Sequence, residues 1–117
     1  MNDNQTTGAR ASDELYLRLS LESSATILRK HRVAERVAPA FSELTALLVV
    51  EMHGHPKRED IDYRRISNLG AALNSLGKDE IEGYRIMMAG HYTMKEHYKI
   101  SADFLNGQWG GIGCWTP

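Results

Sequence analysis

The sequence predicts an all-α fold, a single-domain four-helix bundle followed by a C-terminal tail rich in glycine and tryptophan. Three observations support this prediction. Apolar residues recur at steps of three and four in four segments, and residues that favour helix ends bound these segments. Alternation of apolar and polar residues, the pattern of a strand, is confined to one short stretch. The chain has 117 residues, which is enough for one hydrophobic core and too few for two.

The composition excludes several classes of protein. The net charge is −1, whereas binding to duplex nucleic acid usually requires a clearly basic surface. Cys114 is the single cysteine, so an internal disulfide is excluded and a reducing compartment is favoured. No apolar run reaches the roughly 20 residues that span a bilayer, and residues 1–14 lack the apolar core of a signal peptide. We therefore expect a cytoplasmic protein without a membrane partner.

The N-terminal part of the chain divides into an arm and the start of the domain. Residues 1–11 are polar and without periodicity, which predicts a flexible arm, and residues 12–117 form the predicted helical domain. A first helix is predicted over residues 13–32. Within it, residues 14–22 alternate between leucine and polar side chains, as a strand would, although leucine favours a helix. Both alternatives stay open for residues 14–22.

A basic run closes the first predicted helix. It comprises Arg29, Lys30, His31 and Arg32, with Arg36 following soon after. Cations at a helix C-terminus interact favourably with the helix dipole, which is the simpler interpretation. The alternative is a surface that binds an anion or an acidic partner.

The second predicted helix covers residues 39–53, because Pro39 suits a first helical turn and Gly54 and Pro56 suit a helix end. Residues 46–50 are apolar on nearly every side of the helix, so we expect them to be the most buried part of the fold. The third helix is predicted over residues 60–76, with Gly77 ending it. The turn after it is short, which predicts that helices three and four are antiparallel neighbours.

The fourth predicted helix is the longest and covers residues 79–106. Asp79 and Glu82 have the spacing of a capping box, and Asn106-Gly107 has the character of a helix stop. One apolar side was assigned to the interior: Ile81, Tyr84, Met87, Met88, His91, Met94, Tyr98, Ala102 and Leu105. A second apolar side comprises Ile86, Ile100 and Phe104. Two apolar sides on one helix indicate that it is sandwiched or that one side meets another chain.

Two groups of residues have alternative interpretations. Gly70, Gly83 and Gly90 each weaken a helix interior by about 1 kcal/mol relative to alanine, or else they admit a neighbouring backbone. Trp109 and Trp115 lie in the glycine-rich tail, where they either fold back onto the bundle or anchor a partner. We expect the tail to fold back, because chain ends stay ordered only when they are tied down.

His91 lies in the assigned inner stripe, with Tyr84 and Tyr98 seven residues away on either side. These three residues are candidates for a ligand-binding or pH-sensitive group, and the simpler interpretation is a core histidine with a satisfied hydrogen bond. His53 and His55 are weak candidates for metal ligands. Their spacing does not match a known helical ligand motif, so we expect no metal and no cofactor.

Motifs for catalysis or DNA binding are weak or missing. The chain contains no G-x-S-x-G motif and no phosphate-binding glycine loop, so we predict no catalytic residue and no enzymatic activity. Residues 61–90 could form a helix-turn-helix. Their second helix would begin with acidic residues, the wrong sign for contact with phosphates.

These observations favour a non-enzymatic protein-binding module, such as a small inhibitor, an adaptor or an immunity-type regulator that acts by occupying a surface. Its partner would be another protein or a second copy of the chain. The predicted anchors are Ile86, Ile100, Phe104, Trp109 and Trp115. The alternative function is a histidine-dependent helical protein that binds a metal or small ligand, and a weaker one is a DNA-binding regulator.

Overall fold

The computed structural model describes residues 24–53, 61–99 and 102–116. Within these ranges all regular structure is helical, which confirms the predicted all-α fold class. Residues 24–30 belong to helix α1, and the other helices are α2 (Ala38–His53), α3 (Tyr63–Ser75), α4 (Glu80–Tyr92) and α5 (Ala102–Trp109). A 3-10 turn at Glu35–Val37 precedes α2, and a π-helical turn at Thr93–His97 continues α4. The predicted arm at 1–11 and the strand alternative at 14–22 lie outside the described residues.

Helix α1 ends at a residue in the left-handed conformation, Arg32, with φ of 59°. The backbone N–H of Val33 donates to the carbonyl oxygen of Leu28 at 2.8 Å. A hydrogen bond between residues five apart, around a left-handed residue, closes many helices. A left-handed residue other than glycine costs energy, and here the cap satisfies a carbonyl group that the helix end would leave unpaired. The helix itself ends at residue 30, two residues before the predicted end at residue 32.

A buried carboxylate joins α2 to the start of α3. Glu51 lies 3.5 Å from the Arg65 guanidinium, and one of its oxygens accepts a hydrogen bond from the backbone N–H of Asp62 at 3.4 Å. The Asp62 side chain in turn accepts from the backbone N–H of Arg65 at 3.2 Å and caps α3. The observed helix therefore begins at Tyr63 rather than at the predicted residue 60.

The prediction that residues 46–50 are the most buried part of the fold is wrong. Leu48 is buried, but Val50 is 66% exposed. Phe41, Thr45 and Leu48 are buried at steps of four and three, so α2 packs with one side only. An apolar run on a helix turns through all directions, and the neighbouring helices cover only part of them.

Gly70, Gly83 and Gly90 are sites of close approach. A β-carbon at Gly83 would lie 2.6 Å from the carbonyl oxygen of Asn74 on α3, and one at Gly90 would lie 3.0 Å from the Leu73 side chain. At Gly70 a β-carbon would collide with the indole ring of Trp109. Gly70 and Gly83 therefore have no room for a side chain, whereas a β-carbon at Gly90 would require only a small shift of Leu73.

The prediction of one continuous helix over residues 79–106 is wrong, because the chain turns between α4 and α5. Thr93 donates its hydroxyl to the carbonyl oxygen of Ala89 at 2.8 Å where the π-helical turn starts, and Lys99 has a left-handed φ of 56°. The turn allows α5 to pack against α3 and to bury Leu105 and Trp109. The predicted stop at Asn106-Gly107 is also wrong, since α5 continues to Trp109.

Trp109 lies at the centre of the core. It is fully buried, and its indole N–H donates to the carbonyl oxygen of Ile66 at 3.1 Å. The ring of Trp115 packs against it edge-on, with 5.3 Å between the ring centroids. Among the helices of the described ranges, none combines the length and the apolar character needed to cross a bilayer.

Candidate functional site

Helix α4 exposes an apolar surface that begins in its first turn. The Asp79 side chain accepts a hydrogen bond from the backbone N–H of Glu82 at 2.8 Å and sets the start of the helix. From there Ile81, Tyr84 and Met88 follow at steps of three and four and lie on one side of the helix. Their exposed fractions are 63%, 36% and 37%. We call these three residues the outer stripe.

The outer stripe corrects part of the assignment of sides made from the sequence, in which Met87, Met94 and Leu105 were placed correctly and are fully buried. Ile81, Tyr84 and Met88 were assigned to the interior and are exposed, whereas Ile86 was assigned to the second side and is fully buried. The physical reason is the position of the glycines. Gly83 and Gly90 lie on the side of α4 that packs against α3. Ile86 lies on the same side and is therefore buried in the core.

The C-terminal segment borders the outer stripe. The ring of Trp115 is buried, and it lies 5.8 Å from the ring of Tyr84 and 5.5 Å from the ring of His91, measured between centroids. The segment is shaped by hydrogen bonds and by left-handed glycines, Gly111 with φ of 88° and Gly113 with φ of 53°. The expectation that both tryptophans fold back onto the helices is confirmed.

This packing changes the role of the predicted anchors. Ile86, Trp109 and Trp115 are buried by their own chain, so they offer no area to a partner in this conformation, and the assignment of these three as surface anchors is corrected. Phe104 is half-buried and packs against the ring of Tyr63, with 5.3 Å between the ring centroids. Ile100 lies outside the described residues.

Charged side chains of opposite sign lie beyond the two ends of the outer stripe. Glu80 is exposed at the N-terminal end, where its carboxylate accepts a weak hydrogen bond from the exposed Cys114 thiol at 3.9 Å. Lys95 is exposed seven residues after Met88, and Arg85 flanks the stripe and is half-buried. The surface is thus acidic at one end and basic at the other.

The predicted ligand-binding residues take part in two separate contacts. The rings of Tyr84 and His91 both pack against the ring of Trp115. Tyr98 instead offers its backbone carbonyl oxygen to the Nε2 of His53, at 3.3 Å. Within the described ranges no three His, Cys, Asp or Glu side chains are grouped closely enough to hold a metal, and His55 lies outside those ranges.

The basic run around α1 is engaged by the chain itself. Arg29 lies 3.3 Å from Glu35, and Lys30 lies over the ring of Tyr92 at 5.9 Å. Arg36 forms an ion pair with Glu82. These contacts favour the interpretation of a structural helix end over that of an anion-binding surface.

Glu82 is a buried carboxylate with a definite electrostatic role. One of its oxygens accepts a hydrogen bond from the backbone N–H of Lys78 at 2.9 Å and also meets the Arg36 guanidinium. The hydrogen bond from Lys78, followed by the Arg36 charge, lowers the pKa of Glu82 although burial opposes the shift. The predicted capping box is therefore only half formed, because Glu82 reaches Lys78 rather than the backbone N–H of Asp79.

Comparison of the chain with protein-family models, with curated proteins and with solved structures gives no significant match. The site must therefore be interpreted from its own chemistry. An exposed apolar stripe with charged ends and without a cluster of reactive groups in the described residues can exclude water against a complementary surface. The sequence analysis did not identify Ile81 and Met88 as surface residues of this site, nor Glu80 and Lys95 as the charged residues beyond its ends. The seven-residue spacing of Gly83 and Gly90 is the signal that could have indicated the opposite, buried side.

Proposed function

We propose that the chain is a non-enzymatic protein-binding module that acts by occupying a surface, and that the outer stripe of α4 is its contact surface. The observation that supports this is the contiguity of Ile81, Tyr84 and Met88, which are exposed although the C-terminal segment packs beside them. Single exposed apolar residues are common on monomeric proteins, whereas a contiguous apolar patch with a polar border is characteristic of interaction sites. The cytoplasmic location is part of the same proposal and rests on the unpaired Cys114.

The three side chains are suited to this task. Tyr84 is held by the ring of Trp115, so it loses little conformational freedom when a partner covers it. Met88 is flexible and polarizable and adapts its shape to a partner surface. Ile81 is the most exposed of the three and contributes apolar area at the edge of the patch.

Photo-crosslinking in the cells that naturally produce the protein tests this proposal. A photoreactive amino acid is introduced at Ile81 in one variant and at Val50 in a control variant. The two positions have nearly equal exposure, 63% and 66%, and lie on different helices. We expect a defined cross-linked product from position 81, either with another protein or with a second copy, and none from position 50. Equal yields at both positions, or only cross-links within one chain, contradict the proposal.

A further inference from the structure

We infer that the partner of the outer stripe is a second copy of this chain, bound antiparallel to it about a two-fold axis. This inference rests on the proposed function, since it names the partner of the same surface. It follows from the distribution of charge along α4. Glu80 lies at the N-terminal end of the stripe and Lys95 beyond its C-terminal end, so one copy presents an acidic end where an antiparallel copy presents a basic one.

The register of such a pair follows from helix geometry. If the two-fold axis passes midway between Tyr84 and Met88, each tyrosine of one copy faces the methionine of the other. Glu80 lies six residues from this midpoint, or about 9 Å along the axis, and Lys95 lies nine residues away, or about 13 Å. The difference of about 4 Å is within the reach of a lysine side chain. Glu80 of each copy therefore meets Lys95 of the other.

The same charges disfavour a parallel dimer. In a parallel pair the two Glu80 residues would lie at the same height, as would the two Lys95 residues, so like charges would be grouped at each end and neither acid would meet a base. Arg85 flanks one side of the stripe near the midpoint. The antiparallel two-fold leaves the two Arg85 residues on the same side of the pair, where the arginine side chain is long enough to turn its guanidinium outward into solvent. The charges that favour the antiparallel arrangement are therefore those at the ends of the stripe.

The small size of the stripe predicts a weak pair. Three partly exposed side chains correspond to an interface well below the roughly 1,200 Å² that separates transient from stable complexes. We therefore expect monomer at low micromolar concentration and dimer only as the concentration approaches about 1 mM. Added salt weakens the dimer, because the two Glu80–Lys95 pairs are exposed and screened.

Charge reversal tests the pairing in the full-length chain. Sedimentation equilibrium measures the dimer dissociation constant of the wild type, Glu80→Lys, Lys95→Glu and the double variant. Each substitution occurs twice in a symmetric dimer, so each single variant is expected to weaken it by about three- to tenfold. The double variant exchanges the signs and is expected to return to within about threefold of the wild type. Additive weakening in the double variant overturns the inferred pairing.

The apolar part of the interface has a matched control. Ile81→Gln combined with Met88→Gln is expected to weaken the dimer by at least about tenfold, whereas Val50→Gln leaves it unchanged. Circular dichroism shows whether each variant keeps its helices, and Gln was chosen because it neither changes the net charge nor disfavours a helix. A dimer that is insensitive to the stripe variants overturns the inference.

Cys114 reports the orientation, because it is the only cysteine and lies beside Glu80. Spin labels attached to it are expected to be separated, since two Glu80 residues in the antiparallel pair are about 18 Å apart along the axis. A parallel pair would place the two labels at the same height along the helix axis, so their separation would have no axial component. A label distance too short to include this axial separation overturns the antiparallel arrangement.

The outcomes separate this inference from the proposed function. A chain that stays monomeric up to about 1 mM, but cross-links from position 81 to another protein, overturns the self-association and leaves the binding module intact. A monomeric chain with no cross-link from position 81 to a second molecule overturns both. A dimer that follows the charge and stripe variants supports both.

Discussion

The inner and outer sides of α4 carry similar side chains but meet different surroundings. On the inner side Ile86 and Met87 are fully buried, and on the outer side Ile81 and Met88 are exposed. Each pair consists of one isoleucine and one methionine, so hydrophobicity does not distinguish the two sides. The inner side also contains Gly83, where the backbone of α3 approaches closely, and the outer side has no glycine.

This difference shows what decides burial on a helix that is apolar on two sides. A neighbouring helix packs most closely where small residues let its backbone approach. Apolar residues around such a contact become core, and equally apolar residues on the other side become surface. The predictions below test the inner side, then the carboxylate at its edge, then the outer side.

Removing the central ring of the inner side is expected to have the largest effect. Trp109→Ala deletes a fully buried indole and its hydrogen bond to Ile66, and we expect the free energy of unfolding to fall by about 4 kcal/mol. Trp109→Phe keeps most of the apolar volume and should cost less than half as much. Urea denaturation followed by circular dichroism measures both variants. An equal loss for Ala and Phe would contradict the central position of the ring.

Filling the close contact between α3 and α4 comes next. Gly83→Ala places a β-carbon against Asn74, and we expect a loss of about 2 kcal/mol even though alanine favours a helix. Gly107→Ala is the control, because nothing lies within 4 Å of a β-carbon there and Gly107 is inside α5. This variant should gain about 0.5 kcal/mol. Thermal unfolding of the two variants gives opposite shifts, and a gain in both would disprove the close contact.

The carboxylate at the edge of the inner side makes stability depend on pH. The folded state lowers the pKa of Glu82, so its stabilising contribution is present above the unfolded pKa of about 4.3 and is lost as the pH falls through the lower folded value. Between pH 6 and pH 3 the wild type should therefore lose more stability than Glu82→Gln. Glu43→Gln controls for the loss of one negative charge at an exposed position of α2. Identical pH profiles for the wild type and Glu82→Gln would remove this role.

The smallest effect on folding is expected on the outer side. Ile81→Gln and Val50→Gln should each change the free energy of unfolding by less than about 0.5 kcal/mol, because both side chains are mostly exposed in the monomer. The measurement is made by urea denaturation at low micromolar protein concentration, where the monomer dominates. A loss above 1 kcal/mol for Ile81→Gln would show that this side chain is buried in the folded chain.

Local patterns in the sequence determined the fold class and several helix ends. Apolar periodicity predicted helices, Asp79 predicted the start of α4, and the run ending at Arg32 predicted the end of α1 to within two residues. These features depend on interactions between residues a few positions apart, which a single sequence contains in full. The tail was also interpreted correctly, since two tryptophans have too much apolar area to leave in water.

Only the tertiary structure decided which side of α4 is buried and where the long apolar segment turns. Periodicity places residues on a common side, but it does not say which side meets a neighbour. That choice depends on the contact of Gly83 with Asn74, nine residues away on another helix. The turn near Lys99 likewise depends on the burial of Trp109 against α3, which compensates for a left-handed residue and an interrupted helix. The outer stripe follows from these two distant contacts.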